Sequence, residues 1–295
     1  MHRYKGYLTV SDLDGTLINS NQEISQKNIE AISDYIKEGG LFAVATGRTE
    51  LNALPFIGNV PINCPCILYN GAMIYDFEKK QVVQCTYLDS AELMETLKYI
   101  LQEFKDVCLQ IFTEGRIFIV SSEETIDPVV TNEKQPFELA SLEEIPREKW
   151  IKILINHSNE TLKIIEQILH TRVKAEIFDS VFSTSIYLEI LPYGVSKGSA
   201  LARLMEIMKV KREKVTAIGD YCNDIEMIQT AGLGVATANA HPLVKEAADI
   251  VTVSNDEDAI DYLINIEIPK FERASFKDKG KTLWPANGAK GNIPL

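Results

Sequence analysis

The 295-residue chain has no apolar run approaching the roughly 20 residues that a membrane-spanning helix needs, so no membrane span is expected. An apolar signal segment is also missing from its start, because Asp12 and Asp14 interrupt the first apolar stretch. Positive charge is in short supply. Lys and Arg number 30 against 42 Asp and Glu, a formal charge of −12, which argues against a nucleic-acid backbone as the main partner. Cysteine is sparse and odd in number: Cys64, Cys66, Cys85, Cys108 and Cys222 have no zinc-like spacing, and reduced thiols in a cytoplasm account for them most simply. No internal repeat stands out. The remainder, 45% hydrophobic and 24% charged, is ordinary for a soluble globular enzyme, and the length exceeds one typical domain.

The most informative stretch is Tyr7-Leu8-Thr9-Val10-Ser11-Asp12-Leu13-Asp14-Gly15-Thr16-Leu17. A β-prone apolar run leads into two carboxylates and a glycine. Side chains alternate along a strand, so Asp12 and Asp14 can point the same way as the strand ends. Like charges placed together need compensation, and hard divalent cations such as Mg²⁺ favour carboxylate oxygens. A solvated Asp-Gly turn is the plain alternative. A calcium loop is a second one, set aside because Leu17 occupies its glycine position and a strand, not a helix, leads in.

Ser25 is placed to cap a helix with Ile29, Ile32 and Ile36 on its apolar face, closed by Gly39-Gly40. Leu41–Ala45 reads as a buried strand running into Thr46-Gly47-Arg48, and Cys66–Tyr69 as another running into Asn70-Gly71. Strand, helix, strand with short links implies a parallel sheet. From about Gln81 to Ile190 strand pairs separated by helices suggest an inserted α+β unit. The αβ alternation resumes after Pro192-Tyr193-Gly194, with a strand Val215–Ile218 running into Gly219-Asp220. Residues 265–295 are polar, rich in Lys, Gly and Pro, and read as a poorly ordered or appended tail.

Four stretches thus follow or end apolar strands with polar groups: Asp12/Asp14, Thr46, Lys197 and Asp220/Asp224. Open parallel sheets bind ligands beyond the carboxyl ends of their strands, which could gather groups some 200 positions apart. Singly each has a plain reading: Thr46-Gly47 as a strand exit, Lys197 as an exposed lysine, Asp220 and Asp224 as solvated charge on one helix face. Arg48 suits a supporting salt bridge. His2, His157, His170 and His241 lie outside all four stretches and read as structural or exposed.

The ordered set Asp12-Leu13-Asp14-Gly15-Thr16, Thr46-Gly47-Arg48, Gly194-Val195-Ser196-Lys197-Gly198 and Gly219-Asp220-Tyr221-Cys222-Asn223-Asp224 resembles the four motifs of the haloacid dehalogenase-like phosphohydrolases over about residues 5–264. Asn70-Gly71-Ala72 and the position of the insert resemble the Cof-type branch. The resemblance implies an α/β fold, a Rossmann-like doubly wound parallel-sheet core (1–80 and 191–264) with an inserted α+β cap (81–190). It implies a phosphoric monoester hydrolase. Asp12 would be the nucleophile and Asp14 the acid and base. Thr46, Gly47, Lys197 and Asn223 would hold the phosphoryl group. Mg²⁺ would lie on Asp12, the backbone carbonyl of Asp14 and Asp220, with Asp224 either a further ligand or a support behind the ligands.

Tyr221 departs from the small polar residue usual in the branch, and Asp258-Ala259 replaces a common Asp-Gly. The expected function is a cytoplasmic, Mg²⁺-dependent phosphatase of a small phosphorylated metabolite, a sugar phosphate or nucleotide-like cofactor, with no nucleic-acid or membrane partner. A phosphosugar mutase and a non-catalytic phosphometabolite sensor are the alternatives. No insert residue and no oligomeric state is assigned from the sequence.

Overall fold

The computed structural model describes residues 2–121, 125–127 and 136–272. Its first sheet has eight strands: β1 (Leu8–Asp12), β2 (Leu41–Ala45), β3 (Cys66–Leu68), β4 (Met73–Asp76), β5 (Gln81–Cys85), β12 (Val215–Gly219), β13 (Leu233–Ala236) and β14 (Ile250–Val251). Their order is β14-β13-β12-β1-β2-β3-β4-β5. Strands β14 to β3 pair in parallel, and β3, β4 and β5 in antiparallel fashion. The central strand β1 is buried along its whole length, as its apolar run suggests for a sheet covered on both faces. The expected α/β parallel-sheet core is present.

The second sheet has six strands in the order β10-β11-β9-β6-β7-β8. They are β6 (Cys108–Thr113), β7 (Arg116–Val120), β8 (Glu138–Leu139), β9 (Lys152–Asn156), β10 (Phe178–Thr184) and β11 (Tyr187–Pro192). Alternation divides this sheet cleanly. Leu109, Ile111, Ile153, Ile155, Leu188 and Ile190 join a hydrophobic cluster with Leu97 and Ile100 of the helix Ser90–Glu103 and Leu162 and Ile165 of the helix Asn159–Arg172. The intervening residues Gln110, Phe112, Lys152, Leu154, Tyr187 and Glu189 therefore point to the other face, which closes over the first sheet.

Three details differ from the sequence reading. Gln81–Cys85 belongs to the first sheet as its edge strand, paired with β4, so the α+β unit starts after it. Its exposed Val82 and Val83 lack the burial that marks a core strand. The helix Gln26–Lys37 is capped by Ser25 as expected, but buries Asn28, Ala31, Ile32 and Tyr35 and leaves Ile29 and Ile36 only partly covered. Asn28 accepts a hydrogen bond from the Asp261 N–H, and the Tyr35 ring lies against Tyr4 and Gly40, which rotates the face. Helical structure also continues past 264, through Leu263–Glu267 and on to 272. Ile264 and Ile268 pack into the core there, so the proposed tail would begin eight residues later; its remainder, 273–295, lies outside the described residues.

Candidate active site

The carboxyl ends of β1, β2 and β12 converge as the parallel topology requires. Asp12 is the last residue of β1, Thr46 follows β2, and Asp220 follows β12. Lys197 opens the helix Lys197–Met208, whose N-terminus is fixed by a reciprocal capping box between Ser196 and Ser199. The lysine is 2% exposed, not the solvated residue of the plain reading. Its Nζ donates to Asp12 Oδ1 at 2.5 Å and to Asp224 Oδ1 at 2.7 Å. Asp224 Oδ2 accepts the backbone N–H groups of Asp220 and Tyr221 at 3.0 and 3.1 Å, so it ties the loop after β12 to the lysine. Asp220 accepts from the Thr16 hydroxyl at 2.8 Å. A side chain at Gly15 would collide with the Asp220 carboxylate, its Cβ falling 2.5 Å from Oδ2.

Electrostatics follow from this crowding. Burial, and then the neighbouring Asp224 and Asp220, hold the Asp12 carboxyl well above the ordinary aspartate range despite Lys197. Burial and Asp224 push Asp220 up to about 6. Burial opposes the charge on Lys197, but Asp12 and Asp224 outweigh it and raise its pKa. One carboxylate oxygen from each of Asp12, Asp220 and Asp224 lies within 4.8 Å of the others, and the Lys197 ammonium pairs directly with only Asp12 and Asp224. Such a set fits a hard divalent cation: it offers oxygen ligands and an excess of negative charge.

Asp14 is different. Its carboxylate is half-exposed and stands apart from the other three, held by Arg48 through Nε to Oδ2 at 2.8 Å and through a second nitrogen to Oδ1 at 2.7 Å. Arg48 is thus the supporting partner the sequence suggested. Thr46 is buried and its Oγ1 accepts the Arg48 N–H at 3.1 Å. Asn223 donates to Asn70 Oδ1 at 3.0 Å. Tyr221 stands at the rim, half-exposed, edge-on to His241 at 6.0 Å between centroids. His241 contributes structurally, its ring accepting the Leu243 N–H at a helix start.

Asp12, Asp14, Thr46, Lys197, Asp220 and Asn223 floor a cleft of about 690 Å³ whose roof is the second sheet. The roof supplies what the sequence did not reveal, notably Lys152 and Glu189. They are paired at 3.1 Å, with side chains 5% and 6% exposed. Lys152 Nζ donates to the Gly47 carbonyl at 2.9 Å, and Glu189 accepts from Asn70 Nδ2 at 2.7 Å. The available signal was a charged residue at the start of the apolar run Lys152–Ile155 and another inside Leu188–Leu191. Among the described residues no helix is long and apolar enough to cross a membrane.

Comparison with known proteins agrees with this architecture. A curated chloroplast protein of Arabidopsis thaliana, named endoribonuclease YBEY, is 29% identical over 84% of this chain, but the chain spans only 44% of that protein's length. The Bacillus subtilis 5-amino-6-(5-phospho-D-ribitylamino)uracil phosphatase YcsE is 29% identical over 86% of this chain and 92% of its own. A crystal structure of a haloacid dehalogenase-like hydrolase from Bacteroides thetaiotaomicron aligns with TM-score 0.77 and 31% identity, covering 88% of this chain and 98% of that one. The sequence profile of the haloacid dehalogenase-like hydrolases matches residues 9–264, and the chain belongs to that family.

Proposed function

We propose that this chain is a Mg²⁺-dependent phosphatase that hydrolyses the monoester of a small phosphorylated metabolite through an aspartyl-phosphate on Asp12. The observation that carries the reading is the cluster of buried Asp12, Lys197 and Asp224 with partly buried Asp220 at the carboxyl edge of the parallel sheet, directly beneath a cleft. Asp12, Asp220 and Asp224, with the backbone carbonyl of Asp14, would hold the metal. When bound, the cation supplies charge that offsets the repulsion between an anionic nucleophile and the phosphoryl oxygens.

The chain's own groups perform the remaining work. An Asp12 carboxylate oxygen attacks phosphorus and the ester P–O bond breaks. Asp14 gives its proton to the departing oxygen, a role that requires its pair with Arg48 to loosen as the leaving group enters. Asp14 then takes a proton from water, which attacks phosphorus, breaks the bond to Asp12 and releases inorganic phosphate. Lys197 keeps Asp12 aligned and places positive charge beside the transferring group, and the Thr46 hydroxyl, Gly47 and Asn223 line the space for its oxygens.

The named activities of relatives support a small substrate. One is a phosphatase of 5-amino-6-(5-phospho-D-ribitylamino)uracil and another, from Escherichia coli, of pyridoxal phosphate. The formal charge of −12 also favours a small molecule over a nucleic acid. Free cysteines at 64, 66, 85, 108 and 222 support a reducing compartment such as the cytoplasm. The test is a panel of phosphorylated metabolites and a small aryl phosphate with Mg²⁺, run beside Asp12→Asn. Phosphate release should fall by about 10⁴ or more in the variant. Equal release by both preparations would sink the reading.

A further inference from the structure

The second sheet does more than roof the cleft. Lys152 of β9 and Glu189 of β11 leave their own unit to bind the floor. Lys152 Nζ holds the Gly47 carbonyl at 2.9 Å. Glu189 Oε2 accepts from Asn70 Nδ2 at 2.7 Å. Asn70 is a junction: its backbone N–H donates to the Thr46 carbonyl at 3.0 Å, and its Oδ1 accepts from Asn223 at 3.0 Å. Asn70 is buried and adopts a left-handed conformation at φ 52°, next to Tyr69 at φ 51°. Two successive non-glycine residues in that region are costly and persist only where their surroundings hold them.

The ion pair itself is almost wholly buried, with Lys152 lying 4.8 Å over the Phe112 ring. A buried Lys–Glu pair adds little net stability compared with apolar residues of the same volume, so fold stability alone gives weak reason for it. Its two hydrogen-bonding partners, Gly47 and Asn70, instead belong to the segments that floor the phosphoryl site.

We propose that Lys152 and Glu189 are positioning residues for phosphoryl transfer. The seated second sheet presents a prealigned ammonium and carboxylate that hold Gly47 and Asn70, and through them set the Thr46–Gly47 turn and Asn223. Because both side chains are carried by adjacent strands of one sheet, displacement of that sheet withdraws both at once. The floor is then complete only while the roof is seated, so the roof governs the chemical step as well as access. This inference rests on the cleft being a phosphoryl-transfer site.

The test uses full-length Lys152→Met and Glu189→Met. Glu189→Met removes the acceptor for Asn70, and serves if Lys152→Met does not fold. Backbone hydrogen exchange over residues 45–49 and 69–72 reads the latch without any need for activity. Exchange there should rise about tenfold or more while the helices behind the second sheet keep wild-type protection. With a small aryl phosphate and Mg²⁺, kcat should fall roughly 10- to 100-fold, because slight misplacement of a positioned group costs this much, and KM should change less than about threefold. Wild-type exchange rates in a folded variant would overturn the proposal. So would an unchanged kcat with KM raised only for bulkier esters, which would assign the pair to reading the leaving group. Should wild-type protein release no phosphate from any ester, the functional reading fails on its own, and the exchange measurement still decides the latch.

Discussion

Lys197 Nζ lies 2.5 Å from Asp12 Oδ1, and the two side chains are 1% and 7% exposed. Removing one partner of such a pair leaves an uncompensated charge in a dry site. Lys197→Met should therefore destabilise the metal-free protein by about 3–5 kcal/mol. It should also lower kcat by roughly 10²–10³, since charge beside the transferring group is lost. Added Mg²⁺ should recover part of the melting temperature without recovering kcat. Calorimetry and steady-state kinetics on one preparation check both, and a stable, fully active variant would remove Lys197 from the mechanism.

The carboxylate of Asp14 has a separate environment, paired with Arg48 and half-exposed. Exposed pairs contribute only about 0–1 kcal/mol, so Asp14→Asn should scarcely change the melting temperature. Its effect should depend on the leaving group. An alkyl phosphate, whose oxygen departs only when protonated, should lose about 10²–10⁴ in rate, and an activated aryl phosphate far less. Equal losses on the two esters would show that Asp14 is not the proton donor.

Much of this floor was legible because parallel-sheet topology does the gathering. Asp12, Thr46 and Asp220 each end or follow an apolar strand, and adjacent parallel strands bring such ends together whatever their separation in the chain. Lys197 was legible only through its motif, since nothing local distinguishes it from a solvated lysine. Lys152 and Glu189 were not legible. Their juxtaposition depends on the antiparallel register Leu154↔Glu189 between strands separated by a helix and a further strand. A charged residue in each strand has no local mark that sets it over a cleft. The edge strand Gln81–Cys85 was misplaced for a related reason, because an exposed edge carries no burial pattern to say which sheet it extends.

Burial and Asp224 push the Asp220 carboxyl to about 6, above its ordinary value of 3.8. The folded, metal-free protein thus binds this proton more tightly than the unfolded chain does. The stability it contributes is present in full below the ordinary value and is lost as pH rises through about 6. Asp12 shifts in the same direction. A divalent cation reverses the charge penalty but must displace the protons. Mg²⁺ should therefore raise the melting temperature more at about pH 7.5 than at about pH 5, and its affinity should weaken by roughly tenfold per pH unit below about 6. Isothermal titration across this range provides the measurement, and a pH-independent affinity would contradict the cluster as the metal site.

Gly15 separates two effects that glycine substitutions usually mix. It has φ +81°, and a Cβ there would fall 2.5 Å from Asp220 Oδ2. Gly115, in the turn between β6 and β7, has φ +71° with nothing within 4 Å of the added atom. Both Gly→Ala changes incur the left-handed backbone cost of about 1–2 kcal/mol. Only Gly15→Ala must also displace a carboxylate, one that Thr16 holds from the other side. Gly115→Ala should lower the melting temperature modestly and leave Mg²⁺ affinity and kcat within about twofold of wild type. Gly15→Ala should weaken Mg²⁺ binding by about tenfold or more, because an ion that demands near-ideal octahedral geometry tolerates a moved ligand poorly. If both variants bound Mg²⁺ as tightly as the parent, Asp220 would not be a ligand, and the close approach at Gly15 would serve only to pack the turn after β1.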